Sequence, residues 1–152
     1  MSDPDNASVT ILAVDDDPDA LFILDRLLCR QGYRVKTATG GQAALAALEQ
    51  SLVDVIVLDV MMPDLDGLQV CAALRQDERT RAIPVILLTA SVHTETRLAA
   101  MAVGVTEFVT KPLNSRDLLA RIRAQLHQLR LVSEIDRTLG ADLDEVVRRS
   151  SS

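Results

Sequence analysis

Residues 54–59 read Asp54-Val55-Ile56-Val57-Leu58-Asp59: four consecutive aliphatic side chains, three of them β-branched, set between two aspartates. A strand with one wet face alternates apolar and polar residues. An uninterrupted run instead predicts a strand buried on both faces, as in a parallel sheet covered by helices. The run Pro84–Leu88 has the same character, and weaker ones occur at Val9–Val14, Arg34–Ala38 and Thr106–Val109. The third and fourth runs are the most continuously apolar and are expected at the centre of the sheet.

Segments of helical periodicity separate the runs. Asp17-Pro18-Asp19 supplies a capping carboxylate and a first-turn proline, Leu21, Leu24 and Leu28 recur at helical spacing, and Gly32 is a stop. One-sided helices are expected over Gln42–Gln50 and over Leu68–Gln76, the latter with Val70, Cys71 and Leu74 on its stripe. The fourth, Glu95–Val103, is short and Ala-rich, with Leu98 and Met101 read as inward and Gly104 as its stop; it is expected to be the least firmly held. The fifth begins at Asn114 and carries Leu118, Ile122, Leu126 and Leu129. Five β-then-α units without hairpin signals predict an α/β doubly wound parallel sheet with right-handed crossovers, its ligand site at the carboxyl ends of the strands.

The chain has 152 residues, 48% hydrophobic, and a formal charge of −6 with pI near 4.8. Without an excess of Lys and Arg to displace counterions, nucleic acid is not an expected partner. No apolar run approaches the roughly 20 residues of a membrane span, and the start MSDPDNAS is polar, so a cytoplasmic protein is expected. Cys29 and Cys71 both fall within apolar helical patterns and are read as buried thiols in a reducing compartment.

The chemistry concentrates at one edge. Asp15, Asp16 and Asp17 follow the first strand, Asp59 ends the third, Thr89 ends the fourth and Lys111 stands just past the fifth. Converging carboxylates repel by about 4 kcal/mol per pair at about 4 Å and an effective dielectric near 20, which calls for a proton or a counter-cation. Mg²⁺ suits an acid pair, because it prefers oxygen ligands and completes its shell with water and phosphate. Asp17 is read as a helix cap.

Four strings carry a family resemblance: Ile11-Leu12-Ala13-Val14-Asp15-Asp16-Asp17-Pro18, Val57-Leu58-Asp59-Val60-Met61-Met62-Pro63-Asp64-Leu65-Asp66-Gly67, Leu88-Thr89-Ala90 and Lys111-Pro112. Together they resemble the receiver domain of two-component response regulators, over about Thr10 to Leu129. The resemblance implies a flavodoxin-like (βα)5 fold with strand order 2-1-3-4-5 and, here, an extended C-terminal helix. It implies Asp59 as phosphoacceptor, Mg²⁺ held by Asp15, Asp16, Asp59 and the Met61 carbonyl, and Thr89 and Lys111 on the phosphoryl oxygens. Phe108 stands where the family has a switch aromatic, more often Tyr; Met61 and Ser91 stand where side chains tune phosphoryl lifetime. Lys111–Pro112 is usually cis in such domains. The phosphoryl donor would be a histidine kinase or phosphotransfer protein docking near Ala20–Leu28. The fourth helix, fifth strand and fifth helix would form the output surface toward a downstream protein or an attached output domain.

An aspartate-nucleophile phosphatase of the haloacid-dehalogenase type shares a strand-end Asp, a hydroxyl, a Lys and Mg²⁺, but Asp19 stands where its motif expects Thr or Val and no acidic pair follows Lys111. A receiver-like scaffold that is never phosphorylated is the other alternative; such proteins normally lose Asp59, Lys111 or the acid pair, and none is lost here. The expected organisation is a receiver domain over residues 8–129 and a helical extension or linker over 130–152. In that tail, Leu118, Ile122, Leu129, Val132, Leu139, Leu143 and Val146 approximate a heptad interrupted at Gln125 and Asp136, compatible with a homodimer, and Ser133–Arg149 resembles the opening helix of a GAF sensor domain.

Overall fold

In the computed structural model, which describes residues 4–62, 65–90 and 93–131, the aliphatic runs form five parallel strands: β1 (Thr10–Val14), β2 (Arg34–Ala38), β3 (Val55–Asp59), β4 (Val85–Thr89) and β5 (Glu107–Thr110). Their order is β2-β1-β3-β4-β5. Every residue of β3 and β4 is buried. The edge strand β2 keeps Arg34, Lys36 and Thr37 exposed, a charged rim that discourages further strand pairing. β3, β4 and β5 each end one residue past their apolar runs, because the ladder carries polar terminal residues: Asp59 pairs with Leu88, and Thr89 with Thr110.

Four helices with intervening loops are α1 (Pro18–Arg30), α2 (Gly41–Gln50), α3 (Gly67–Gln76) and α4 (Thr94–Ala102); a fifth, α5, covers residues 115–131. The pleat divides the core in two. Leu12, Val14, Ile56, Leu58, Val85 and Leu87 pack with Leu48, Val70 and Leu74 from α2 and α3, and with Ala100 of α4. Ile11, Ala13, Val55, Val57, Ile86 and Leu88 pack with Leu21, Leu24 and Leu28 of α1 and Leu118, Ile122 and Leu126 of α5. Burial on both faces accounts for the lack of alternation in the sequence.

Asp17 caps α1 by accepting from the Asp19 amide at 3.0 Å, and Asn114 accepts from Asp117 at 3.1 Å where α5 begins. Two expectations fail. Cys29 is exposed, since α1 turns Leu21, Leu24 and Leu28 to the sheet and the next position faces outward; its thiol donates to Asp25 Oδ1 at 3.3 Å. Leu98 and Met101 are 60% and 64% exposed, because α4 seats the small Ala100, flanked by half-buried Thr96 and Val103, against the sheet. On α5 the stripe outruns the sheet: the helix is about 25 Å long beside strands of about 17 Å, and Leu129 near its end is 37% exposed. The sequence features beyond Leu131, including Ser133–Arg149, lie outside the described residues.

Candidate functional site

The strand carboxyl ends gather the predicted acids. Asp15 follows β1, its amide bonded to the Ala38 carbonyl at 3.2 Å, and is buried; Asp16, one residue on, is exposed. Asp59, the last residue of β3, is buried. One carboxylate oxygen from each of Asp15, Asp16 and Asp59 lies within 4.8 Å of the others.

Each buried acid is oriented by neighbours. Asp15 Oδ1 accepts from the Asp17 amide at 3.0 Å, so the turn that caps α1 also holds the first carboxylate. Asp59 Oδ1 accepts from the Met61 amide at 3.2 Å, and Oδ2 receives Lys111 Nζ at 3.0 Å. Burial raises the Asp15 carboxyl above its ordinary range, and the Asp59 charge adds to that; the Asp17 amide and Lys111 oppose it. Three carboxylates and one ammonium leave a formal charge of −2, and every acidic donor is a hard oxygen. That set fits a hard divalent cation better than a soft metal, which would want thiolate or imidazole.

Thr89 ends β4 and is buried, and its carbonyl accepts from the Lys111 amide at 2.8 Å, so hydroxyl and ammonium belong to adjoining backbones. The Lys111–Pro112 bond is cis, as the resemblance implies. Phe108 sits opposite Leu87 in the ladder, half-buried against the α2–α4 side of the core. Met61 is 73% exposed and, with Asp16, Val60, Met62 and Asp66, lines a cleft of about 460 Å³ beside the acids. Ser91 lies outside the described residues.

Three contributors escaped the sequence reading. Asp66 and Gln69 form a capping box at the start of α3, with bonds of 2.8 and 3.0 Å; the Asp-x-x-Gln spacing was the available signal. Gly67 brings α3 so near β3 that a Cβ there would stand 2.8 Å from the Asp59 carbonyl oxygen. An apolar groove of about 250 Å³ runs from Asp15 and Lys111 past Ala20, Ile23, Leu24, Pro112 and Leu113; the α1 half lies within the expected docking region, but only the fold adds the residues after Lys111. Among the described residues no helix is long and apolar enough to cross a membrane.

The response regulator receiver domain family matches residues 11–123. Response regulator PleD of Caulobacter vibrioides is 39% identical over 145 residues, 95% of this chain and 30% of PleD. The probable transcriptional regulatory protein TcrX of Mycobacterium tuberculosis is 38% identical over 84% of this chain and 54% of its own. The chain thus spans about half or less of these relatives. Among solved structures, chemotaxis protein CheY4 of Vibrio cholerae superposes with a TM-score of 0.73 at 33% identity, covering 76% of this chain and 97% of CheY4. The receiver domain of sensor histidine kinase PA1611 from Pseudomonas aeruginosa, solved with a magnesium ion coordinated in the active site cleft, has a TM-score of 0.73 at 28% identity, covering 78% of this chain and 98% of its own. The family match runs from β1 into α5 and takes in every acid gathered at the strand ends, so this chain belongs to the response regulator receiver domain family.

Proposed function

We propose that the chain is the phosphoacceptor switch of a two-component phosphorelay, taking a phosphoryl group on Asp59 from a histidine kinase or phosphotransfer protein. The observation that carries this is Asp59 itself: buried, bonded by Lys111 Nζ on one oxygen and the Met61 amide on the other, and within 4.8 Å of two further carboxylates.

A carboxylate needs no general base to attack phosphorus, so these neighbours would position Asp59 and balance charge. An Asp59 O–P bond would form as the donor's P–N bond breaks. Asp15, Asp16, Asp59 and the Met61 carbonyl would hold Mg²⁺, which supplies charge neutralisation and phosphate coordination. The acyl phosphate dianion would add one negative charge, drawing the Lys111 ammonium and the Thr89 hydroxyl, with Phe108 responding behind them. Met61, and Ser91 by its position in the chain, would set how readily water reaches the phosphoryl group; an apolar Met favours exclusion.

The groove between α1 and Lys111–Leu113, extended by exposed Phe22 and Ile23, suits an apolar helix of the phosphoryl donor, delivered directly over the acids. Output would pass through α4, β5 and α5 to a downstream protein or an attached domain, in the cytoplasm, with residues 8–129 as the receiver, 130–152 as a helical extension and homodimerisation as one mode of coupling.

The test is intact mass after incubation with acetyl phosphate, with and without Mg²⁺. A Mg²⁺-dependent gain of one phosphoryl group, absent in Asp59→Asn, is expected. No adduct in the wild type, with Mg²⁺ binding and slow hydrolysis established separately, would refute the proposal and leave a phosphorylation-independent scaffold.

A further inference from the structure

Arg75, in the last turn of α3, spends its guanidinium entirely on uncharged acceptors. Nε and Nη2 both donate to the Gly104 carbonyl, at 3.0 and 2.9 Å, and Nη2 lies 3.4 Å from Thr106 Oγ1. Nη1 donates to the carbonyls of Ile83 at 2.7 Å and Arg81 at 3.0 Å. Among the described residues it has no carboxylate within salt-bridge distance. One rigid fork therefore joins the end of α3, the chain entering β4 and the turn leaving α4.

Other bonds reinforce that junction. Thr106 Oγ1 accepts from the Val85 amide at 3.0 Å, and the Thr106 amide donates to the Val85 carbonyl at 2.9 Å, so the turn is sewn to the first residue of β4. Cys71 Sγ lies 3.4 Å from the Val103 carbonyl. Gly104, at φ 90°, leaves no room for a Cβ, which would stand 2.9 Å from the Arg75 side chain. Burial along α4 is uneven: Ala100, near its C-terminal end, is the one buried residue of the helix, while Thr94, Glu95, Arg97 and Leu98 are exposed. Exposed Leu98 and Met101 ride on this unevenly anchored helix.

We infer that Arg75 is the pivot of α4, fixing its C-terminal end to the entry of β4 so that a displacement from the phosphoacceptor site tilts the helix about Gly104 and does not carry it away bodily. The inference rests on the phosphoacceptor reading above. Nine residues span about 13 Å, so a shift of about 2 Å at the first turn is a tilt of about 9°, which moves Leu98 more than Met101. Arg75 is thus a positioning residue, remote from the chemistry.

The test is amide hydrogen exchange by NMR on the whole chain, free and loaded with beryllofluoride and Mg²⁺, in the wild type and in Arg75→Lys, which keeps the charge but loses the fork. In the wild type, loading should change exchange at residues 94–98 at least tenfold and leave the amides of Val103, Gly104, Val105 and Thr106 within twofold. Arg75→Lys should load with affinity within threefold of wild type but spread the change along the whole helix. If the amides around Asp59 in the wild type show no loading, the phosphoacceptor reading falls and the pivot with it. Loading with a uniform change along α4, or an Arg75→Lys protein that keeps the wild-type gradient, overturns the pivot alone. Should Arg75→Lys fail to fold, the wild-type gradient decides.

Discussion

Replacing Asp15 by Asn should stabilise the metal-free protein while abolishing its response to Mg²⁺. The oxygens of Asp15 and Asp59 lie within 4.8 Å, both residues buried. Two charges at that distance repel by about 3.5 kcal/mol at an effective dielectric near 20. Part is already offset by Lys111 on Asp59, while the bond that Asp15 Oδ1 accepts from Asp17 survives in Asn. A net gain of about 1–2 kcal/mol remains, or about 3–6 °C in Tm for a chain of this size. For the wild type, Mg²⁺ at ten times its dissociation constant should add about 1.4 kcal/mol; the variant should not move.

Acid should erase the difference between the two proteins. Because the native Asp15 carboxyl is raised above its unfolded value, the folded state takes up a proton first, and wild-type stability improves as pH falls through the raised value. The gap between variant and wild type should be full near neutrality and close below the ordinary carboxylate range. Thermal melts from pH 3 to 8, with chelator or with Mg²⁺, test this. An Asp15→Asn protein that melts below wild type at neutral pH, or that gains as much from Mg²⁺, would refute the reasoning.

Lys111→Ala removes the ammonium 3.0 Å from Asp59 Oδ2 and should slow adduct formation with acetyl phosphate by about 10²-fold; a mass time course within twofold of wild type would contradict the role. Gly67→Ala forces a Cβ to 2.8 Å from the Asp59 carbonyl oxygen and 2.9 Å from Val60 Cα, backbone atoms that cannot swing away. Urea titration should show a loss of about 1–3 kcal/mol, and an unchanged midpoint would mean α3 seats elsewhere. Met61→Asn exchanges an exposed apolar side chain beside the acidic cleft for one that can orient water, and should release the phosphoryl group several-fold faster in a pulse-chase mass experiment. An equal decay rate would remove Met61 from the tuning role.

Much of this molecule was legible because its deciding signals are local. A run such as Val55–Leu58 cannot be half-wet, and Asp17-Pro18 followed by leucines at helical spacing opens a helix in any context that buries one face. Right-handed crossovers then place Asp15, Asp59, Thr89 and Lys111 at one edge. Exposure was less legible. Leu98 and Met101 satisfy an inward periodicity as well as Ala100 does, and which face meets the sheet depends on how closely the helix must approach it.

The sequence by itself determined the doubly wound sheet and the residue types at its carboxyl edge, through hydrophobic pattern, capping and chain handedness. Only the tertiary structure decided that acids 44 residues apart come within 4.8 Å, that Lys111 reaches Asp59 across 52 residues, and that Arg75 binds the carbonyl of Gly104, 29 residues on, together with that of Ile83 at the entry to β4. Those contacts join groups whose separation along the chain carries no periodic signal, and in Arg75's case the acceptors are backbone oxygens that every residue possesses. Pattern specifies which surfaces must be buried, and close packing of the folded chain fixes which atoms then meet.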